Sequence, residues 1–146
     1  MTDKTIWTIG YEQTTMGEFL AALQGAGVEV LADVRAIAAS RRPGFSKTAL
    51  AANLEQAGIG YVHYRALGSP AEGRAAARAG KKGELERIYA GQLETPEAMA
   101  AGAQLADLAG EKRVALLCYE RDSWCCHRTL LREAVLADYE PVDLVP

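Results

Sequence analysis

The chain alternates short runs rich in β-branched and aromatic residues with stretches of helical apolar period, and that alternation constrains its fold more than any other feature. "KTIWTIGY" (4–11) reads as a first strand, with Trp7 in the core. Thr15 and Glu18 then have capping-box spacing, and Met16, Phe19, Leu20 and Leu23 follow at helical intervals until Gly25 and Gly27 stop the run. "VEVLADVR" (28–35) reads as a second strand. The loop "AIAASRRPGF" leads to a helix starting near Ser46, with Leu50, Leu54 and Ala57 on one side and Gly58 at its end. "IGYVHYRAL" (59–67) reads as a third strand. Thr95, Pro96 and Glu97 mark another helix start, with proline at the first helical position and Met99, Leu105 and Leu108 on the apolar side. "KRVALLCYE" (112–120) is the most apolar strand and is expected at the centre of a sheet. A helix carrying Leu130, Leu131, Ala134 and Val135 and a short strand, "PVDLVP", follow.

Strand and helix alternating at this spacing give an α/β fold: a three-layer, Rossmann-like sandwich. Its sheet of about five strands is mainly parallel, with helices on both faces. The 146 residues are read as one domain. A chain of that length buries roughly 68–70% of its unfolded surface and needs no disulfide or metal to staple it. One stretch breaks the rhythm. "SPAEGRAAARAGKKGELERIYAGQ" (69–92) has few large apolar residues and reads as a basic, partly helical, mobile insertion outside the core.

No run of about 18 apolar residues is present, so no membrane span is expected. The N-terminal segment lacks the regions of a signal peptide. The cysteines number three, and Cys125 and Cys126 are neighbours, which does not suit a disulfide framework. These features lead to an expected cytoplasmic location. The net charge of −3 argues against generic nucleic-acid binding, but its distribution is uneven. Residues 31–90 hold ten Lys or Arg against five Asp or Glu, whereas the rest of the chain holds six against fourteen. A basic middle on an acidic chain suits a small anionic ligand.

In open α/β sheets ligands bind beyond the carboxyl ends of the strands. At those ends stand Gly10 with Tyr11, Asp33 with Arg35, Gly68, and Cys118 with Glu120. The segment "LLCYERDSWCCHR" (116–128) collects all three cysteines and one of the two histidines. Three readings compete for it. Cys118, Cys125, Cys126 and His127 supply zinc-ligand types, but three consecutive residues do not converge tetrahedrally, so no metal is expected. Cys126 near a helix start is a candidate low-pKa thiolate for redox or sulfur transfer, set against an inert thiol. The third reading joins Arg128, in the first turn of that helix, to Arg35, Arg41 and Arg42 in an anion pocket. Glu120 would then serve as general base, or as the partner of an arginine. His63 reads as a packed sheet residue. "TIGYEQTT" has one glycine where a dinucleotide fingerprint needs three, so no cofactor is expected.

"TIGYE", "DVR" followed by "SRRPGF", the glycine after the third strand, and "LLCYE" with "CCHR" together resemble the family called domain of unknown function 488. The resemblance runs from Thr8 to about Glu133. Its motifs fall on Gly10, Asp33, Arg35, Ser40, Arg41, Phe45, Gly68, Cys118, Glu120, Cys126, His127 and Arg128. It implies a compact Rossmann-like domain with no known cofactor and no settled activity. Two positions depart from the family pattern, Tyr11 where many members have histidine and Ser69 where many have a second glycine.

The expectation from the residues is a small enzyme, a hydrolase or transferase, acting on a phosphate-bearing substrate such as a nucleotide or nucleic-acid end. Glu120, Cys126 and His127 are the candidates for the chemistry. Gly10, Tyr11, Asp33, Arg35, Ser40, Arg41, Gly68, Cys118 and Arg128 are the candidates for binding. The alternatives are a non-catalytic module that binds an anion or a protein partner, and a thiol protein using Cys126. Oligomeric state is left open.

Overall fold

A computed structural model describes residues 4–118 and 127–146, with the backbone alone for Cys118 and Arg128. Five strands form one sheet: β1 (Thr5–Gly10), β2 (Val30–Asp33), β3 (Gly60–His63), β4 (Val114–Cys118) and β5 (Glu140–Leu144). Their order across the sheet is β3-β2-β4-β1-β5, and each neighbouring pair is parallel. The helices are α1 (Met16–Gly25), α2 (Lys47–Gln56), α3 (Ala71–Arg78), α4 (Lys82–Leu93), α5 (Pro96–Glu111) and α6 (His127–Val135). The expected three-layer α/β architecture is the one found, with β4 in the middle. Val114, Ala115, Leu116 and Leu117 of that strand are all fully buried, which is what its apolar run requires. No described helix is long and apolar enough to cross a membrane.

Strand alternation sends successive side chains into two separate cores. On one face Ile9, Leu31, Ala115 and Leu117 pack with Phe19 and Leu23 of α1 and Leu50 and Leu54 of α2. On the other, Ile6, Ala32, Val114 and Leu116 pack with Tyr89 of α4, Leu105 of α5 and Leu131 of α6. Each fully buried large side chain of this kind contributes roughly 1.5–3 kcal/mol.

The helix starts follow local chemistry. The Thr15 hydroxyl accepts from the Glu18 amide at 3.2 Å while the Glu18 carboxylate accepts from the Thr15 amide at 3.1 Å, a complete capping box. Thr95 caps α5 through the Ala98 amide, with Pro96 in the first turn. Ser46 precedes α2 but spends its hydroxyl elsewhere: it accepts from the Ser40 amide at 2.9 Å and donates to the Ser40 carbonyl at 3.0 Å. That pair pins the loop between β2 and α2.

Three local expectations differ from what is found. The third strand ends at His63, and Arg65–Leu67 form a 3-10 turn rather than its continuation. Met99 is 64% exposed, because α5 buries the row Ala98, Gly102 and Leu105 and turns Met99 outward. The stretch 69–92, expected outside the core, forms α3 and α4 and places Ala76, Leu85 and Tyr89 within it. Tyr89 also donates to the Leu67 carbonyl at 2.6 Å, and Gln92 to the Ala66 carbonyl at 2.8 Å, so the hairpin is tied to the turn after β3. A few well-spaced large residues suffice there because small ones let the backbones approach.

Candidate functional site

The helices after β1 and β2 cover one face of the sheet, and the helix after β4 covers the other, while β4 lies between β1 and β2. The carboxyl ends of these three strands therefore flank a reversal, the place where α/β sheets open a crevice. Gly10 and Cys118 face each other in register there, and Asp33 is in register with Leu117.

The corner is organised by a buried ion pair. Asp33 is fully buried and Arg35 is 5% exposed. The Arg35 Nε donates to Asp33 Oδ1 at 2.8 Å and its Nη2 to Oδ2 at 2.7 Å, a two-point fork. Asp33 also accepts from the Arg35 amide at 3.1 Å and from the Tyr61 hydroxyl at 2.6 Å. The remaining terminal nitrogen of Arg35, Nη1, donates to the Tyr11 hydroxyl at 3.2 Å and to the Phe45 carbonyl at 2.8 Å. Four of the five N–H groups of the guanidinium are thus engaged, and one on Nη2 has no partner among the described residues. Tyr11 stacks on Phe45 with ring centroids 4.6 Å apart, and the guanidinium carbon lies 5.4 Å from the Tyr11 centroid.

Electrostatics follow from this packing. Burial works against the charged form of Arg35, but the hydrogen bonds and charge of Asp33, aided by Tyr11, outweigh it and hold the guanidinium above arginine's ordinary pKa. Burial also raises the Tyr61 phenol, and the bond and negative charge of Asp33 raise it further against the opposing charge of Arg35. Tyr61 and Arg35 are therefore fixed in their protonated states across the physiological range.

Both histidines hold the exit of β2. His127 is buried and its Nε2 donates to the Val34 carbonyl at 2.6 Å, with Tyr89 edge-on at 5.2 Å. The His63 Nε2 donates to the Arg35 carbonyl at 2.8 Å. A carbonyl only accepts, so each ring carries its proton on Nε2. His63, read from the sequence as a packed sheet residue, is half-buried and fills a positioning role. Tyr61 and Phe45 complete the corner. Tyr61 was not singled out from the sequence; its strand position, two before His63 on the same face, is the signal that points to it.

The other candidates divide by position. Gly10, Tyr11, Asp33, Arg35 and His127 come together. Ser40 accepts from the Arg42 amide at 3.1 Å and, with Ser46, shapes the loop that carries the exposed Arg41. Arg42 donates through Nη2 to the Thr14 carbonyl, while its buried Nε has no partner among the described residues. Gly68 stands beyond β3, where a Cβ would lie 2.2 Å from the Ala36 nitrogen; its role is the close approach of two backbones. Cys118 ends β4 and Arg128 lies in the first turn of α6. Glu120, Cys125 and Cys126 lie outside the described residues. Among the described residues no group of three His, Cys, Asp or Glu side chains is placed to hold a metal ion.

A search of curated proteins and of solved structures found no match. A family model does match, over residues 15–135, which takes in β2, β3, β4 and all six helices together with the Asp33 and Arg35 corner. The chain belongs to the family described as Domain of unknown function DUF488.

Proposed function

We propose that the protein is a small enzyme, a hydrolase or transferase, that acts on a phosphate-bearing substrate at the carboxyl ends of β1, β2 and β4. The observation that carries this reading is the buried Asp33–Arg35 pair at that edge. A buried pair rarely stabilises a fold more than apolar residues of the same volume would. Its position at the sheet's reversal is better accounted for by a site that needs a fixed charge distribution. In this reading Asp33, Tyr11, Tyr61 and the two histidines are positioning residues. They hold Arg35 so that its remaining N–H faces the ligand. Arg41, on the loop after β2, and Arg128, at the positive end of α6, supply the further cations. Glu120, two residues past β4, is the general base, and Cys126 lines the pocket. The cytoplasm is its compartment on the same reading, since three cysteines with two adjacent form no disulfide framework.

The test is turnover of nucleotides, sugar phosphates and short 5′-phosphorylated oligonucleotides by wild type and Glu120→Gln. The expected result is conversion of at least one compound by wild type, with a loss of about 10²-fold or more in a variant that melts normally. Full activity in the variant would remove Glu120 from the mechanism. A second reading, a non-catalytic anion-binding module, draws support from the engagement of four of the five Arg35 N–H groups. It predicts binding without turnover, and a lower melting temperature for Glu120→Gln.

A further inference from the structure

The ends of β2 and β3 border a second opening that shares no residue with the Asp33 and Arg35 corner. It is a cleft of about 600 Å3, a volume ordinary for a small-molecule site. Its floor exists because Gly68 lets the turn after β3 press against the Ala36 backbone, where any Cβ would clash. Two cations and one anion line it: Arg65, Arg74 and Glu97. Arg74 donates through Nη1 to the Ser69 carbonyl at 2.8 Å, which fixes its direction and leaves Nε and Nη2 without a described partner. Among the described residues neither arginine is in an ion pair. The cap residues of two helices, Pro70 of α3 and Thr95 of α5, also line the cleft, so both positive helix ends adjoin it. Ile37, 59% exposed, and Ala66 add apolar surface to the lining.

We propose that this cleft is a binding site for a small phosphomonoester with an apolar or aromatic body. The phosphate sits between Arg65 and Arg74 at the two helix starts, and the body lies on Ile37. A dianion suits the excess of positive charge, and a guanidinium with unspent N–H groups suits phosphate oxygens. Glu97 opposes it and sets a limit on affinity.

The probe is phenyl phosphate, titrated into the 15N-labelled protein and followed by amide shifts, with phenol as control. Saturable shifts are expected at Ser69, at residues 71–73 and at residues 97–98, absent with phenol. Arg65→Ala weakens binding by about tenfold or more, since the charge-assisted contacts are lost. Its side chain is exposed and makes no described contact, so the variant folds. Arg74→Lys, which keeps the charge but not the fork, weakens binding to a smaller degree, and Glu97→Gln strengthens it. Shifts confined to residues 10–12 and 33–35, no saturable shift at all, or wild-type affinity in Arg65→Ala would each overturn the proposal.

Discussion

Asp33→Asn tests the corner most severely. The substitution keeps the volume and the planar shape but removes the charge, and it places an N–H group where the carboxylate accepted. Arg35, 5% exposed, is then a buried cation with no counter-charge. Asp33 accepts from the Arg35 side chain at two points, from the Arg35 amide and from Tyr61, so several bonds weaken together. Removing one partner of a buried pair costs about 3–5 kcal/mol. A domain of this size has about 5–15 kcal/mol in total, so a large part of its stability is at risk. At about 2–4 °C per kcal/mol the melting temperature falls by roughly 6–20 °C. Urea unfolding followed by circular dichroism measures the same loss at 25 °C. Arg35→Met alone is also strongly destabilised, because it leaves the carboxylate buried and unpaired. The double variant recovers much of the summed loss, since neither charge is then buried alone. Asp33→Asn within about 1 kcal/mol of wild type, or two single losses that simply add, would refute the claim that the pair is desolvated and coupled.

Other outcomes follow from single contacts. The Tyr61 phenol is raised above its ordinary value, so the folded protein holds that proton more tightly than the unfolded chain does. Its contribution is fully present below about pH 10 and is lost as pH rises beyond that. Tyr61→Phe therefore flattens the alkaline limb of a stability–pH profile, and an unchanged limb would contradict the cause given. Gly68→Ala drives a Cβ to within 2.2 Å of the Ala36 nitrogen and 2.3 Å of its Cα, atoms that cannot rotate away. It costs at least about 1–3 kcal/mol by chemical denaturation, and a neutral result would show that the two turns separate freely. Tyr89→Phe leaves the Leu67 carbonyl without its 2.6 Å donor and costs about 1–3 kcal/mol in the same assay.

The elements legible in the chain are those governed by local rules. The capping box at Thr15 and Glu18, the Thr95 and Pro96 start, and the apolar run of β4 depend on neighbours in sequence, and each stands where its pattern puts it. The helical character of 69–92 is legible in the chain, but its burial is not, because that depends on distant partners. Tyr89 is in the core on account of the turn after β3, which local hydrophobicity does not report. Met99 illustrates a choice between adjacent helical rows: Ala98, Gly102 and Leu105 form the buried one, and Gly102 lets α5 approach Val135 of α6. At the site, the rule for strand ends brought Tyr11, Asp33 and Arg35 to one edge. It could not tell that Arg35 would be spent largely on Asp33, Tyr11 and a backbone carbonyl, since those bonds join residues up to 24 positions apart. The role of His63 was hidden for the same reason, its partner being the carbonyl of Arg35, 28 positions away.

The central claim is that a phosphate-bearing ligand is held at the corner of β1, β2 and β4. Melting of Arg65→Ala, in which the second cleft is weakened, and of that protein carrying in addition Arg41→Ala or Arg128→Ala, with and without adenosine 5′-monophosphate, tests it directly. The account predicts stabilisation of the Arg65→Ala protein and its loss in both double variants. No stabilisation of Arg65→Ala, or equal stabilisation in the two double variants, would contradict it.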